Sequence, residues 1–453
     1  MERIKILHTN DLHSHFENWP KIRRFLLAEQ KDPNATVYTF DLGDFIDRFH
    51  PLTEATSGKA NIELMNEVHY DAVTIGNNEG IGSAKKDLNQ LYDAANFDVV
   101  LGNLKEPTTN QLPDWACPYK ILETADGTRL AILGLTAYFP LTYAPNGWRI
   151  ETVDTVLPDL LAEVKNEADV IILLSHLGIS EDRRLAKIYP ELDIIIGSHT
   201  HHLLPSGEIV NGTLLAAAGK WGRYIGTIEL LLKGKQIIDF KISTVTTDSL
   251  AMYPDDEREI LTLWNKGNQL LEAESVGFLP KTLSNDEKAN FPLTFCSLKA
   301  LQRFAGVDVA ILNSGLFLGN LPKGMVNMGQ LHQILPHPMH IIKVTLPGSE
   351  IKRLVLEMEK ARGFLRHFPM VGMGFRGKVF GSIVYQGLSF DEKTQRVSWL
   401  GQVLDEQKNY TFATVDHFLF IPFFPTIEIK GEIEFIFPEF IRQVFADYLS
   451  ELS

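Results

Sequence analysis

Cysteine is almost absent from this 453-residue chain, with Cys117 and Cys296 as the only two. They stand far apart in no CxxC-type spacing, which excludes a disulfide framework and a cysteine-based zinc motif. Long apolar runs are absent as well. The most hydrophobic stretches, such as Val170 to Leu174, have the length of strands, short of the roughly 18 apolar residues that a membrane-crossing helix needs. Positive charge is in deficit: 43 Lys and Arg against 57 Asp and Glu leave a formal charge of −14. Such a surface repels nucleic-acid backbones and anionic lipid, so no nucleic acid and no membrane are expected as partners. A basic, apolar leader is not expected either, because Ile4-Lys5-Ile6-Leu7 already reads as a strand. Together with the scarce cysteine, this sets the expectation of a cytoplasmic protein. Internal repeats and low-complexity tracts are also lacking.

The residues present are those of an ordinary globular chain. Hydrophobic residues make up 45% and charged residues 22%, enough apolar material for more than one core, and the length suits two α/β domains. From the start to residue 250, β-branched runs recur at residues 4–7, 36–40, 71–75, 98–101, 130–135, 169–174 and 193–196, with helical or loop segments between them. Several, such as DVIILLS and LDIIIGS, are apolar on both faces, as central strands covered on each side would be. This half reads as a layered α/β domain. Residues 254–275 are charged and helix-forming, with apolar residues at helical spacing, and read as a linker helix. A second α/β domain is expected over 276–453, with a helix at 294–305, a strand at 307–312, a helix at 349–361 and Gly/Phe-rich strands after it.

In layered α/β proteins, functional groups gather where strands run out at their carboxyl ends. Strand 4–7 runs into HTNDLHSH, with Asp11 and His13, and strand 36–40 into DLGD, with Asp44. Strand 71–75 runs into GNNE, with Asn77, and strand 169–174 into SHLG, with His176. Strand 193–196 runs into GSHTHH, with His199 and His201. A lone His at a strand end is usually structural, but five ends in order, with Asp-x-His and His-x-His spacing, deliver a ligand set. Mixed imidazole and carboxylate donors suit two divalent ions of borderline type (Mn, Zn, Fe or Co), whereas magnesium would draw mainly on oxygen. Asp44 is the natural bridging carboxylate. Two metals about 3.5–4 Å apart clamp a phosphoryl group and activate water, which is the chemistry of phosphoester hydrolysis.

The ordered blocks TNDLHSH, DLGD, GNNE, SHLG and GSHTH, followed by AAAGKWGRYIG, resemble the metallophosphoesterase blocks of bacterial 5′-nucleotidases and UDP-sugar hydrolases. The resemblance covers the first half closely and the second loosely. It implies a four-layer αββα catalytic domain followed by a smaller, nucleotide-recognising α/β domain of the 5′-nucleotidase type. It also implies one metal on Asp11, His13, Asp44 and His201 and the other on Asp44, Asn77, His176 and His199.

The chain departs from that pattern at several positions. The family block is GNHE, so Asn78 stands where the family has a catalytic His, and an amide cannot deliver a proton. His15 and His202 lie beside ligand motifs as substitutes or as neighbours that orient a ligand. In the second domain, Asn313-Ser314-Gly315 matches a phosphate-contacting block but without its Arg. His337 and His417 stand where the family has two base-stacking Phe side chains. Asn313, Gly315, His337 and His417 are therefore the substrate-contact candidates. Lys281, Arg303, Lys323, Arg366, Arg376 and Lys378 are replacement cations by location, although solitary basic residues are usually solvated. The resulting expectation is an intracellular two-metal phosphohydrolase acting on a small phosphorylated metabolite, with nucleotides and nucleotide-sugars among the candidates. The alternatives are a catalytically weakened metal-dependent phosphate or nucleotide sensor and a metal-dependent hydrolase of another ester.

Overall fold

Alternation along the strands decides the layering, because successive side chains leave a strand on opposite faces. Along Val170–His176, Ile172 and Leu174 join one apolar cluster, and Ile171 and Leu173 join another. The first cluster also takes Ile4, Ile6 and Phe40 from one sheet and Leu130, Ile132 and Ile194 from a second, so it is the core between two sheets. On one outer side, Leu7 and Val73 pack with Trp19, Ile22 and Leu26 of the helix Trp19–Glu29. On the other, Leu133, Leu173 and Ile195 pack with the helices Val153–Val164 and Ile179–Ile188. Helix, sheet, sheet and helix make four layers. The computed structural model describes residues 1–370, 372 and 374–452.

The first sheet has seven strands in the order Gln236–Thr246, Tyr224–Lys233, Glu2–Thr9, Thr36–Asp41, Ala72–Val73, Asp98–Val100 and Ala116–Cys117. From Glu2–Thr9 onward the pairings are parallel, which sends those carboxyl ends to one edge. The second sheet has six strands, and its neighbours Thr213–Ala216, Ile194–Gly197, Val170–His176 and Arg129–Thr136 are likewise parallel.

The chain divides into two compact units, Met1–Gly267 and Asn268–Ser453. The division falls inside a helix, Pro254–Ala273. The amino-terminal half of that helix is held to Trp19–Glu29, where Arg23 makes a two-pronged contact with Glu259 at 2.7 and 2.7 Å and Arg24 grips Asp256 in the same way. Where a Cβ would stand at Gly267, the Leu52 nitrogen is 2.1 Å away.

The second unit is built on a five-stranded sheet in the order Ile383–Gln386, Ala310–Asn313, Asn409–Val415, His340–Pro347 and Glu432–Phe440. The helices Pro292–Ala305, Gly348–Leu365 and Ile441–Glu451 accompany it. Among the described residues no helix is long and apolar enough to cross a membrane.

Candidate metal centre

The loops after the first two parallel strands hydrogen-bond to each other. His13 N donates to Asp44 O at 2.8 Å and Ser14 N to Phe45 O at 2.9 Å, so the Asp-x-His turn and the DLGD turn form one ledge. Asp11, His13, Asp44, His199 and His201 all have positive φ, between 44° and 70°. Asp and His tolerate this left-handed region better than most non-glycine residues, yet each such residue still costs about 1–3 kcal/mol. The surrounding hydrogen bonds hold that strain at the strand ends, where it aims five side chains inward.

Two groups of ligand atoms result. Asp11, His13 and His201 form one and Asp44, His176 and His199 the other, with the atoms of each group within 4.8 Å of one another. Asp44 joins the two, since its Oδ2 lies 3.4 Å from His176 Nε2 and 3.8 Å from His13 Nε2. Asp11 is fixed by Ser198 Oγ, which donates to its Oδ2 at 2.5 Å, and by His199 N, which donates to its Oδ1 at 3.3 Å. His176 Nδ1 lies 2.6 Å from Leu42 O, an acceptor only, so this nitrogen carries the proton and Nε2 presents its lone pair when the ring is neutral.

The donor set fits two divalent ions. His13 Nε2 and His201 Nε2 face each other at 3.1 Å. That lies between the separations of about 2.9 and 3.3 Å given by right-angled and tetrahedral coordination at about 2.0–2.1 Å. In the second group, Asn77 Oδ1 is buried with no hydrogen-bond partner, and a polar atom so placed needs a ligand. Two His/Asp sites for divalent metal are therefore present.

The electrostatics follow from burial and from carboxylates close to imidazoles. Burial, helped by the charge on His176, pushes His199 down to about 4. Burial and the neighbouring His13 push His201 down to about 3, so both rings are neutral lone-pair donors at pH 7. Burial opposes charge on His176 as well, but Asp44 outweighs it and lifts the ring to about 10. Asp44 is in turn held below the usual carboxylate range: burial works against it, but His176 and His13 prevail.

Several residues behind the ligands do work that strand-end reading did not assign. Glu79, the last residue of GNNE, accepts from the backbone nitrogens of Asp44, Ile46 and Gly76 at 2.9, 3.0 and 2.8 Å and so fixes the turn that carries Asp44. Asp47 Oδ2 lies 3.6 Å from His13 Nδ1, as a carboxylate orienting a ligand ring would. Their only mark in the sequence is closeness to the ligand motifs; their burial, which sets them apart from other acids, shows only in the structure. Asn78 is placed in the ledge itself. Its backbone N donates to Asp44 Oδ1 at 2.7 Å, and its side-chain Nδ2 donates to Ile46 O at 2.8 Å and lies 3.0 Å from His13 Nδ1. His15 pairs with Glu17 between the rings of Phe49 and Trp221, and His202 Nδ1 contacts Thr200 Oγ1, so both lie outside the two groups.

In the second unit, the four substrate-contact candidates gather around residues 375–380. Asn313 Nδ2 donates to Phe380 O at 2.6 Å, and a Cβ at Gly315 would stand 2.0 Å from Val379 O. His337 and His417 are both fully buried, and the ring of Phe375 lies between them, 5.0 Å from His337 at 11° and 5.3 Å from His417 at 19°. Of the basic candidates, Arg303 pairs with Glu451 and Arg366 with Glu287. Arg376 donates its backbone N to His337 Nδ1 at 2.8 Å. Lys281 and Lys378 lie at the surface, as does Lys323, whose backbone N donates to Thr282 Oγ1.

Comparison with known proteins bears on both units. Residues 4–203 match the calcineurin-like phosphoesterase family, and residues 280–420 match the 5′-nucleotidase C-terminal domain. The uncharacterized metallophosphoesterase YunD of Bacillus subtilis is 36% identical, over 99% of this chain and 100% of its own. The solved structure of a 5′-nucleotidase precursor from Thermus thermophilus shares the fold, with a TM-score of 0.59 and 20% identity, over 99% of this chain and 96% of that one. A snake venom 5′-nucleotidase of Crotalus adamanteus is 25% identical over 51% of this chain and 46% of its own. That relative overturns the expected cytoplasmic setting, because venom is a secreted fluid and the same domain serves there. Few cysteines and an early strand did not decide the compartment, since a domain held by packed cores is indifferent to redox conditions.

Proposed function

The chain belongs to the calcineurin-like phosphoesterases, and from that membership we propose that it hydrolyses small phosphate esters, nucleotides and nucleotide-sugars among the candidates. It is a metal-dependent phosphoesterase, and the observation that carries the reading is Asp44 Oδ2 standing between the two histidine groups. In this reading Asp11, His13, His201 and Asp44 would hold one divalent ion, and Asp44, Asn77, His176 and His199 the other. Such a pair supplies Lewis acidity toward a phosphoryl oxygen and toward a water molecule.

The chain's own residues set the geometry around that pair. Asp44 offers one charge to both sites, and the hydrogen bond to Leu42 O holds the His176 ring so that Nε2 faces inward. Asn78 acts through His13 and Asp44, not as an acid, because an amide has no proton to give. The ester oxygen therefore leaves best when it needs little protonation. We assign the second unit the task of recognising the ester substituent, with Asn313, Gly315, His337 and His417 as its candidate contacts. Stacking of a base between His337 and His417 requires Phe375 to move.

A phosphate-release screen over nucleoside monophosphates, nucleotide-sugars, cyclic diesters and aryl phosphates with Mn²⁺ tests the reading, with Asp44→Asn as control. Removing the shared charge should cost both ions and lower turnover by more than the roughly 10–100-fold typical of residues behind a ligand. No release from any ester would leave a metal-dependent phosphate-binding protein instead, and equal release by Asp44→Asn would overturn the role of Asp44 as the shared ligand.

A further inference from the structure

One strand end at the metal-bearing edge carries no charged, His or amide side chain in its first residues, unlike its neighbours. Arg129–Thr136 pairs in parallel with Val170–His176 and runs out into Ala137-Tyr138-Phe139-Pro140-Leu141. The strand ending at His176 is its direct neighbour in the sheet and the one ending before His199 lies next beyond, all three parallel, so this segment opens onto the same edge. The Phe139 ring meets the His199 ring, with centroids 5.7 Å apart at 56°. Three large apolar side chains in this short stretch are nevertheless open to solvent: Tyr138 is 45% exposed, Phe139 39% and Leu141 62%. No charged residue lies between Arg129 and Arg149.

The segment is firmly seated from below. Tyr143 is buried against the turn Asn77–Gly80, where a Cβ at Gly80 would come within 2.3 Å of its Oη. Asn146 donates to Gly80 O at 3.1 Å and to Ser83 O at 2.9 Å. Folding is thus served by the buried side of this loop, and the rings on its upper side contribute little to the core. Exposed apolar side chains clustered beside a ligand ring, on a loop held from below, offer a candidate contact for an apolar substituent.

We propose that Phe139, with Tyr138 beside it, is a stacking platform for the ester substituent, and that the preferred substrates carry an aromatic ring at the ester oxygen. The proposal rests on the phosphoesterase reading of the same site. The patch begins at the ring of a candidate ligand, His199, and ends in solvent, so an ester whose phosphate is held by the two groups lays its substituent along it. Asn78 points the same way. It cannot protonate a leaving oxygen, and an aryl oxide leaves without that help.

Phenylphosphonate and methylphosphonate, which resist hydrolysis, test the platform by calorimetric binding to the full-length, Mn²⁺-loaded protein. The wild type should bind the phenyl compound more tightly. Phe139→Ala should weaken it about three- to tenfold, the value of one aromatic contact, while moving methylphosphonate within about twofold. Phe139→Trp should keep the phenyl preference. Equal losses for both compounds in Phe139→Ala would make Phe139 a prop for His199 and overturn the platform, as would an unchanged phenyl affinity. Equal binding of the two compounds by the wild type would remove the platform alone. A wild type that held two ions and bound neither phosphonate would remove the phosphoesterase reading with it.

Discussion

Strained backbone at Asp11, His13, Asp44, His199 and His201 shows what the centre costs the fold. Asp11, His13, Asp44 and His199 are held by neighbours that bond their backbone or their other atoms, and Asn78 is the most connected of these. If Asn78 supports His13 and Asp44, Asn78→Ala should weaken Mn²⁺ binding by about 10–100-fold, as removal of a residue behind a ligand does. The ratio of aryl to alkyl phosphate turnover should stay where it is. A changed ratio at unchanged affinity would place Asn78 against the leaving group instead. At this scale the Asp and His candidates were legible, because chemistry-bearing residues recur at strand ends in a fixed order. Glu79 and Asp47 were not, because an acid that serves backbone nitrogens or a ring looks in sequence like any other acid.

Elements were legible where their pattern was uniform. The expected strand at 169–174 is observed as Val170–His176, and the expected helix at 294–305 as Pro292–Ala305. The long pair Tyr224–Lys233 and Gln236–Thr246 escaped the reading. Its outer strand mixes polar and apolar residues and is largely open to solvent, so neither a continuous apolar run nor a clean alternation announces it. Phe139 escaped for a different reason: only polar groups were sought at strand ends. In the second unit, residues 375–380 fold back so that Phe375 enters between His337 and His417, a pairing of distant segments that no local pattern encodes. Burial there holds His337 down to about 3, against an ordinary 6.5. Above pH 6.5 neither the folded nor the unfolded state carries its proton, and the residue is indifferent to pH. As the pH falls from 6.5 toward 3, the unfolded chain takes up a proton that the folded chain refuses, and stability drops by up to about 1.4 kcal/mol per unit. The melting temperature of the transition containing this unit should fall through that window. His337→Gln, which can still donate to Leu316 O and accept from Arg376 N, should flatten the dependence, and an unaltered slope would assign it to other groups.

At the scale of the whole molecule, composition foretold two packed α/β units, because the amount of apolar residue suffices for more than one core. The cytoplasmic setting expected from scarce cysteine was wrong, since packed cores work in either redox compartment. The substrate's identity is the least legible property, because it depends on loops that the sheets merely support. The central claim is that two divalent ions, held by the strand-end residues of the first unit, perform the hydrolysis. Its most direct test is a Mn²⁺ titration of the chelator-stripped, full-length protein, with bound ions and phosphate release from p-nitrophenyl phosphate measured in the same samples. The account predicts two ions per chain and a rate that rises with occupancy of the second. Full turnover in the stripped protein, or saturation at two ions with no turnover, would contradict it.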